Sequence, residues 1–198
     1  MNMTIYSEIQ PMIDENPYVS GRATQENVLE SSKYVLYVSK EGMQHIMNRH
    51  ADSYAPGSLF TVPQEKFYDE LEAIIVKPPS EVDARGMVKW LEVDIGSTIG
   101  KMGVAHADPA KVALMADYTM PGGRMEKVKV APGERVDTQL LSVITAKIGA
   151  LQDGRELLSL VTMFPGSNTI NGVEMPPDRN AFASAGFYFV LPEDSPAL

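Results

Sequence analysis

The sequence predicts an α+β domain, with two N-terminal helices packed on one face of a mainly antiparallel β-sheet. Three observations lead there. Two segments before residue 78 carry apolar residues at helical spacing. From residue 86 onward the apolar residues fall into short β-rich runs separated by glycine and proline breakers. Helices first and antiparallel strands afterwards is the element order of that class.

In chain order, residues 1–32 read as a polar N-terminal arm, irregular or weakly helical, ahead of a single domain over 33–198. Residues 34–38 form a short β-rich run, expected as a strand. Ser39 then caps a helix over 40–50, where Met43, Ile46, Met47 and His50 share one face at i, i+3, i+4 and i+7. A turn-rich loop over 51–62 leads to a second helix, opened by a capping-box pattern of Thr61 and Gln64. Its apolar face is Phe67, Leu71, Ile74 and Ile75, and Pro78 stops it after Lys77. Strands are expected at 87–95, 111–119, 124–131, 140–146, 156–164 and 186–191, with Pro121-Gly122-Gly123 turning a hairpin. The run 140–149 also admits a short helix, and residues 166–184 read as a long polar loop.

Composition bounds the function. With 198 residues, 44% hydrophobic and 22% charged, the chain can bury a core without covalent staples. It has no cysteine, which excludes disulfides and thiolate metal sites. No apolar run approaches the ~20 residues of a membrane helix. The start lacks the basic and apolar regions of a signal peptide, so a cytoplasmic location is expected, with non-classical delivery left open. The net charge of −9 argues against non-specific nucleic-acid binding. The charge is uneven, however: residues 1–32 hold five acidic and one basic side chain, residues 150–198 hold six and two, and the centre is near neutral. A local basic site therefore remains possible.

The chemistry concentrates in Gln44-His45-Ile46-Met47-Asn48-Arg49-His50. A spacing of five rotates His45 and His50 apart by about 140° on a helix, unlike the i, i+4 pair that grips zinc. No metal and no cofactor is expected. Histidines that titrate near neutrality can instead act as acid and base on a phosphodiester, with arginine as a planar fork for its oxygens. His45 and Arg49 share a helical face, and His50 lies on the apolar side or just past the helix end. Lys127 and Lys129 share a strand face flanked by Arg124 and Arg135, which could meet a phosphate backbone. Thr162 shares a strand face with Leu158, Leu160 and Phe164, and Thr145 poses the same case of a hydroxyl among core residues. Each has a plain structural reading beside the functional one: a histidine favouring the helix dipole, a solvated lysine stripe, a satisfied core threonine. His106 reads as an ordinary loop histidine.

Several stretches taken in order resemble the barnase/EndoU/RelE-like nuclease superfamily, in its phage and polymorphic-toxin branch. They are the helix ending in His45-Ile46-Met47-Asn48-Arg49-His50, the turn Ile95-Gly96-Ser97-Thr98-Ile99-Gly100, and the strand segments 137–145 and 160–166. The resemblance spans roughly residues 34–166. It implies metal-independent ribonuclease action on RNA, often tRNA, by 2′-hydroxyl transesterification, in a toxin or phage-encoded effector. It further implies His50 as the leading general base or acid with His45 supporting it, Arg49 orienting phosphate, Thr162 donating to the scissile phosphate or ribose, and a cognate inhibitor or immunity protein as partner. Lys127, Lys129 and Thr145 are the further substrate-binding candidates, from the strand-face reading alone. The alternative expectation is a non-catalytic acidic binding protein, of immunity or anti-defence type, that blocks a basic nucleic-acid-binding partner.

Overall fold

A computed structural model of the chain describes residues 4–51, 57–77, 80–85, 87–106, 114–119, 125–167, 169–170, 173–174 and 186–191. The elements are, in order, α1 (Ile5–Asp14), β1 (Val28–Glu30), β2 (Tyr34–Tyr37), α2 (Lys40–His50), β3 (Leu59–Phe60), a 3₁₀ turn (Gln64–Lys66) and α3 (Phe67–Val76). There follow β4 (Ser80–Arg85), β5 (Val88–Asp94), β6 (Gly100–Met102), β7 (Val104–His106), β8 (Leu114–Thr119) and β9 (Met125–Pro132). The last are β10 (Val136–Thr138), β11 (Leu140–Ala150), β12 (Glu156–Pro165), β13 (Thr169–Ile170), β14 (Val173–Glu174) and β15 (Phe187–Leu191).

The α+β class holds, and the sheets are mostly antiparallel. A six-stranded sheet runs β1-β2-β12-β11-β5-β4, with β2 parallel to β12 and every other pair antiparallel. A four-stranded sheet runs β7-β15-β9-β8, and a three-stranded one β10-β6-β3. The 140–149 run resolves as strand: β11 lies between β12 and β5 and completes a ladder on both sides. The turn at residues 120–124 lies outside the described residues, but Thr119 pairs with Met125 across it, as a hairpin requires.

Strand β2 is buried on both faces, and its alternation divides the core. Tyr34 and Leu36 point with Val38 into a cluster that takes in Ile46 of α2 and Phe67, Leu71 and Ile74 of α3. Val35 and Tyr37 point to the other side, against Ile9 and Ile13 of α1. Helices α2 and α3 both pack into the first of these clusters. The expectation of two helices behind an irregular or weakly helical arm is corrected by α1, a third helix packed on the opposite face. Its physical basis is local: Ile5, Ile9, Met12 and Ile13 repeat at i, i+4, i+7 and i+8, a core-facing stripe inside a polar segment. Ile9 and Ile13 are almost fully enclosed.

The capping box before α3 is not formed. Pro63 sits extended at the entrance to the 3₁₀ turn, and α3 begins only at Phe67, with no side chain capping it. The short strands β3, β6, β7 and β10 are not expected from the sequence, because their ladders are completed by partners distant in sequence; β1 and β4, also unexpected, pair with the strand that follows each of them, β2 and β5. Of the expected 166–184 loop, the described residues include the small β13–β14 pair; most of it lies outside them. Among the described residues no helix is long and apolar enough to cross a membrane.

Candidate functional site

Helix α2 is placed by its first turn and its small residue. The Ser39 hydroxyl accepts the Gly42 amide at 3.0 Å, capping an otherwise orphaned donor. Gly42 then lies against β12 so closely that a Cβ there would sit 2.9 Å from the Leu160 carbonyl oxygen. With Gly42, Ile46 and His50 turned to the core, His45 and Arg49 fall on the flank of the helix, both partly buried.

His50 closes the helix inside the protein, only 9% exposed. Its Nδ1 lies 2.7 Å from the Ser58 carbonyl oxygen. A carbonyl can only accept, so Nδ1 carries the hydrogen and the neutral ring keeps its lone pair on Nε2. The imidazole packs edge-on to Phe60 and tilted against Phe164, at ring-centre distances of 6.4 and 5.8 Å. Ser58 is itself held: its hydroxyl accepts the Gly103 amide at 3.2 Å. Gly103 approaches Gly57 so closely that only glycine fits, since a Cβ there would fall 1.9 Å from the Gly57 oxygen.

The charges that act on the His50 ring are all of one sign. Burial drives the His50 pKa down to about 3, the Ser58 hydrogen bond opposes this, and the charges of Arg49, His45 and Arg135 push it further down. His45 is lowered to about 4, by burial first and Arg49 second. Arg135 is lowered by its own burial. Its Nε lies 3.1 Å from the position a Gly103 Cβ would take, which places the guanidinium beside the Gly57–Gly103 contact. Two neutral imidazoles thus stand among guanidinium groups contributed by α2 and by the segment before β10. An anion seated there would raise both imidazole pKa values.

The sequence-expected residues divide. His45, Arg49 and His50 are brought together. Thr162 is not placed with Leu158 and Leu160, because β12 carries a bulge: Ile144 pairs with Thr162 and Thr145 with Leu160, leaving Val161 unpaired. The extra residue switches faces. Leu158, Leu160 and Met163 meet the helices, whereas Thr162 lies across from Ile144 and Trp90 on the other face, the face of Phe164, whose ring packs against both Trp90 and the His50 imidazole. The Thr162 hydroxyl is buried there without a hydrogen-bond partner. Thr145 is fully buried, and its hydroxyl donates to the Lys89 carbonyl at 3.3 Å. This is the environment of a satisfied core threonine, the structural reading set beside its assignment to substrate binding. Lys127 and Lys129 belong to β9, opposite Asp117 and Met115, in the four-stranded sheet rather than the sheet that carries α2. Their side chains, that of His106 and all of Arg124 lie outside the described residues.

Two members of the corner had weaker sequence signals. Arg135 stood out only as a flank of the lysine stripe, and Ser58 not at all, since it acts through its main-chain carbonyl. Among the described residues no group of three or more His, Asp or Glu side chains is gathered to hold a metal ion. Neither a protein-family model nor a curated protein matches this chain.

Proposed function

We propose that the chain is a metal-independent ribonuclease that binds an RNA phosphodiester at the corner formed by His45, Arg49, His50 and Arg135. The observation that supports it is the concentration of positive charge around two neutral imidazoles, in a chain whose net charge is −9. In this reading His45, partly exposed, is the catalytic residue. It takes the 2′-hydroxyl proton as the 2′-oxygen attacks phosphorus, then returns it to the departing 5′-oxygen. The products are a 2′,3′-cyclic phosphate and a 5′-hydroxyl. Arg49 and Arg135 hold the non-bridging oxygens. His50, enclosed and tied to Ser58, is a positioning residue that fixes the end of α2. The resemblance to the barnase/EndoU/RelE-like superfamily is consistent with this assignment, as is a cytoplasmic toxin or phage effector acting on tRNA with a cognate inhibitor.

The test is incubation of the purified protein with RNA in EDTA, with analysis of product ends. Cyclic phosphate termini are expected, lost in His45→Ala and strongly reduced in Arg135→Gln, with both variants melting near the parent. Intact RNA, or cleavage unchanged in His45→Ala, would refute the proposal.

A second reading, the acidic binder, is favoured by a different observation. Tyr18 is 93% exposed, next to the exposed carboxylates Asp14 and Glu15. A projecting tyrosine in an acidic setting suits a basic partner with an aromatic-accepting pocket. Binding to a purified basic nucleic-acid-binding partner would then be lost in Tyr18→Ala and in high salt, and kept in His45→Ala.

A further inference from the structure

A pocket of about 310 Å³ opens between the arm, α2 and α3, away from the cationic corner. At about 100° per residue, Lys40, Met43 and Met47 fall on one flank of α2 and His45 and Arg49 on the other, with the buried Gly42, Ile46 and His50 between them. The pocket is walled by Val38, Met43, Met47 and the Tyr68 ring, with Glu26 from the arm and Lys40 from the start of α2 also lining it. Thr24, Asn27 and Gln44 complete the lining, so three apolar side chains stand beside six polar ones around a surface opening.

The charges narrow the ligand. Glu26 and Lys40 bear opposite charge and line the same pocket, yet no ion pair joins them among the described residues. Burial first, and the Glu26 carboxylate second, raise the Tyr68 pKa, so the hydroxyl remains a donor at neutral pH. The two methionines offer an adaptable, polarizable wall suited to an unbranched or aromatic side chain.

We infer that this pocket binds a small zwitterion with an apolar side chain, a free α-amino acid, whose ammonium meets Glu26 and whose carboxylate meets Lys40. The side chain lies against Val38, Met43 and Met47, and Tyr68 donates to the carboxylate. The site uses none of the four side chains of the cationic corner. RNA cleavage and amino-acid binding therefore stand or fall separately.

The experiment is calorimetric titration of the full chain with free methionine, leucine and phenylalanine, each beside its N-acetyl and methyl-ester forms. Saturable one-site binding of at least one free amino acid is expected, weakened about tenfold or more when either terminus is blocked. Glu26→Gln should erase the effect of N-acetylation, and Lys40→Gln that of esterification. Both side chains are exposed, so these variants should keep the parent melting curve. Met47→Trp, which fills the pocket, should abolish binding. Absence of saturable binding overturns the inference. So does binding indifferent to both blocking groups, or equal binding by nucleosides or simple amines. If Met47→Trp fails to fold, the two charge variants decide.

Discussion

His50 gives the sharpest prediction, because its environment converts directly into a pH dependence. The ring is neutral and enclosed in the folded chain, with its pKa lowered from 6.5 to about 3. In the unfolded chain it takes up a proton below about pH 6.5, whereas the folded chain does not until near pH 3. Acidification therefore favours unfolding. The stability contribution is intact above the unfolded pKa and falls as the pH drops from 6.5 toward 3. At about 1.4 kcal/mol per pH unit, His50 costs roughly 2 kcal/mol between pH 7 and pH 5, and up to about 5 kcal/mol over the whole window. His45, lowered to about 4, adds a loss of the same sign. The comparison variant is His50→Asn, whose side-chain amide can still donate to the Ser58 carbonyl but does not titrate. Urea unfolding at pH 7, 6 and 5 should show the parent losing about 2 kcal/mol more than the variant, with the m-value unchanged. Parallel curves for the two proteins would refute the buried, neutral His50. So would an imidazole of the folded parent that titrates near 6.5 in an NMR experiment with the His50 resonance assigned.

Three further perturbations probe the frame around the site. Ser39→Ala removes the hydroxyl that caps Gly42 and should cost about 1 kcal/mol in chemical denaturation. Gly42→Ala adds a Cβ 2.9 Å from the Leu160 carbonyl oxygen; the helix–strand contact must spread, and the net loss should be about 1–3 kcal/mol despite alanine's better helix propensity. A Gly42→Ala protein more stable than the parent would show that α2 is not pressed against β12. Glu156 bonds both Lys89 and Lys147, which hold its carboxyl below the usual range. That stability is present at neutral pH and lost as the pH falls through the carboxylate range, so Glu156→Gln should cost about 1–3 kcal/mol at pH 7 and flatten the acid limb.

Much of the fold was legible because its cause is local. Helix α2 spans the residues expected, since Ser39, the apolar repeat and the adjacent strand all act within a few residues. The end of α3 follows from the residues beside Pro78, and β5, β11, β12 and β15 from compact apolar runs between breakers. The stripe Ile5, Ile9, Met12 and Ile13 was equally local and carried the signal for α1, but its polar surroundings masked it. The candidate site was legible in part, because His45, Arg49 and His50 share a helix.

What remained was decided by contacts between distant segments. Alternation along β12 places Thr162 with Leu160 only if no residue is inserted; the bulge at Val161, set by pairing with β11, turns it to the other face. Whether His50 faced solvent or core depended on Phe60, Phe164 and the Ser58 carbonyl, none of which α2 specifies. Arg135 reaches the corner only because the strands between bring it there. The sequence by itself determined the α+β class, helix α2 and the grouping of His45, Arg49 and His50, through periodicity and capping that need only neighbouring residues. Tertiary structure decided the burial, tautomer and depressed pKa of His50 and the face of Thr162, since desolvation and strand register belong to whatever packs against a residue.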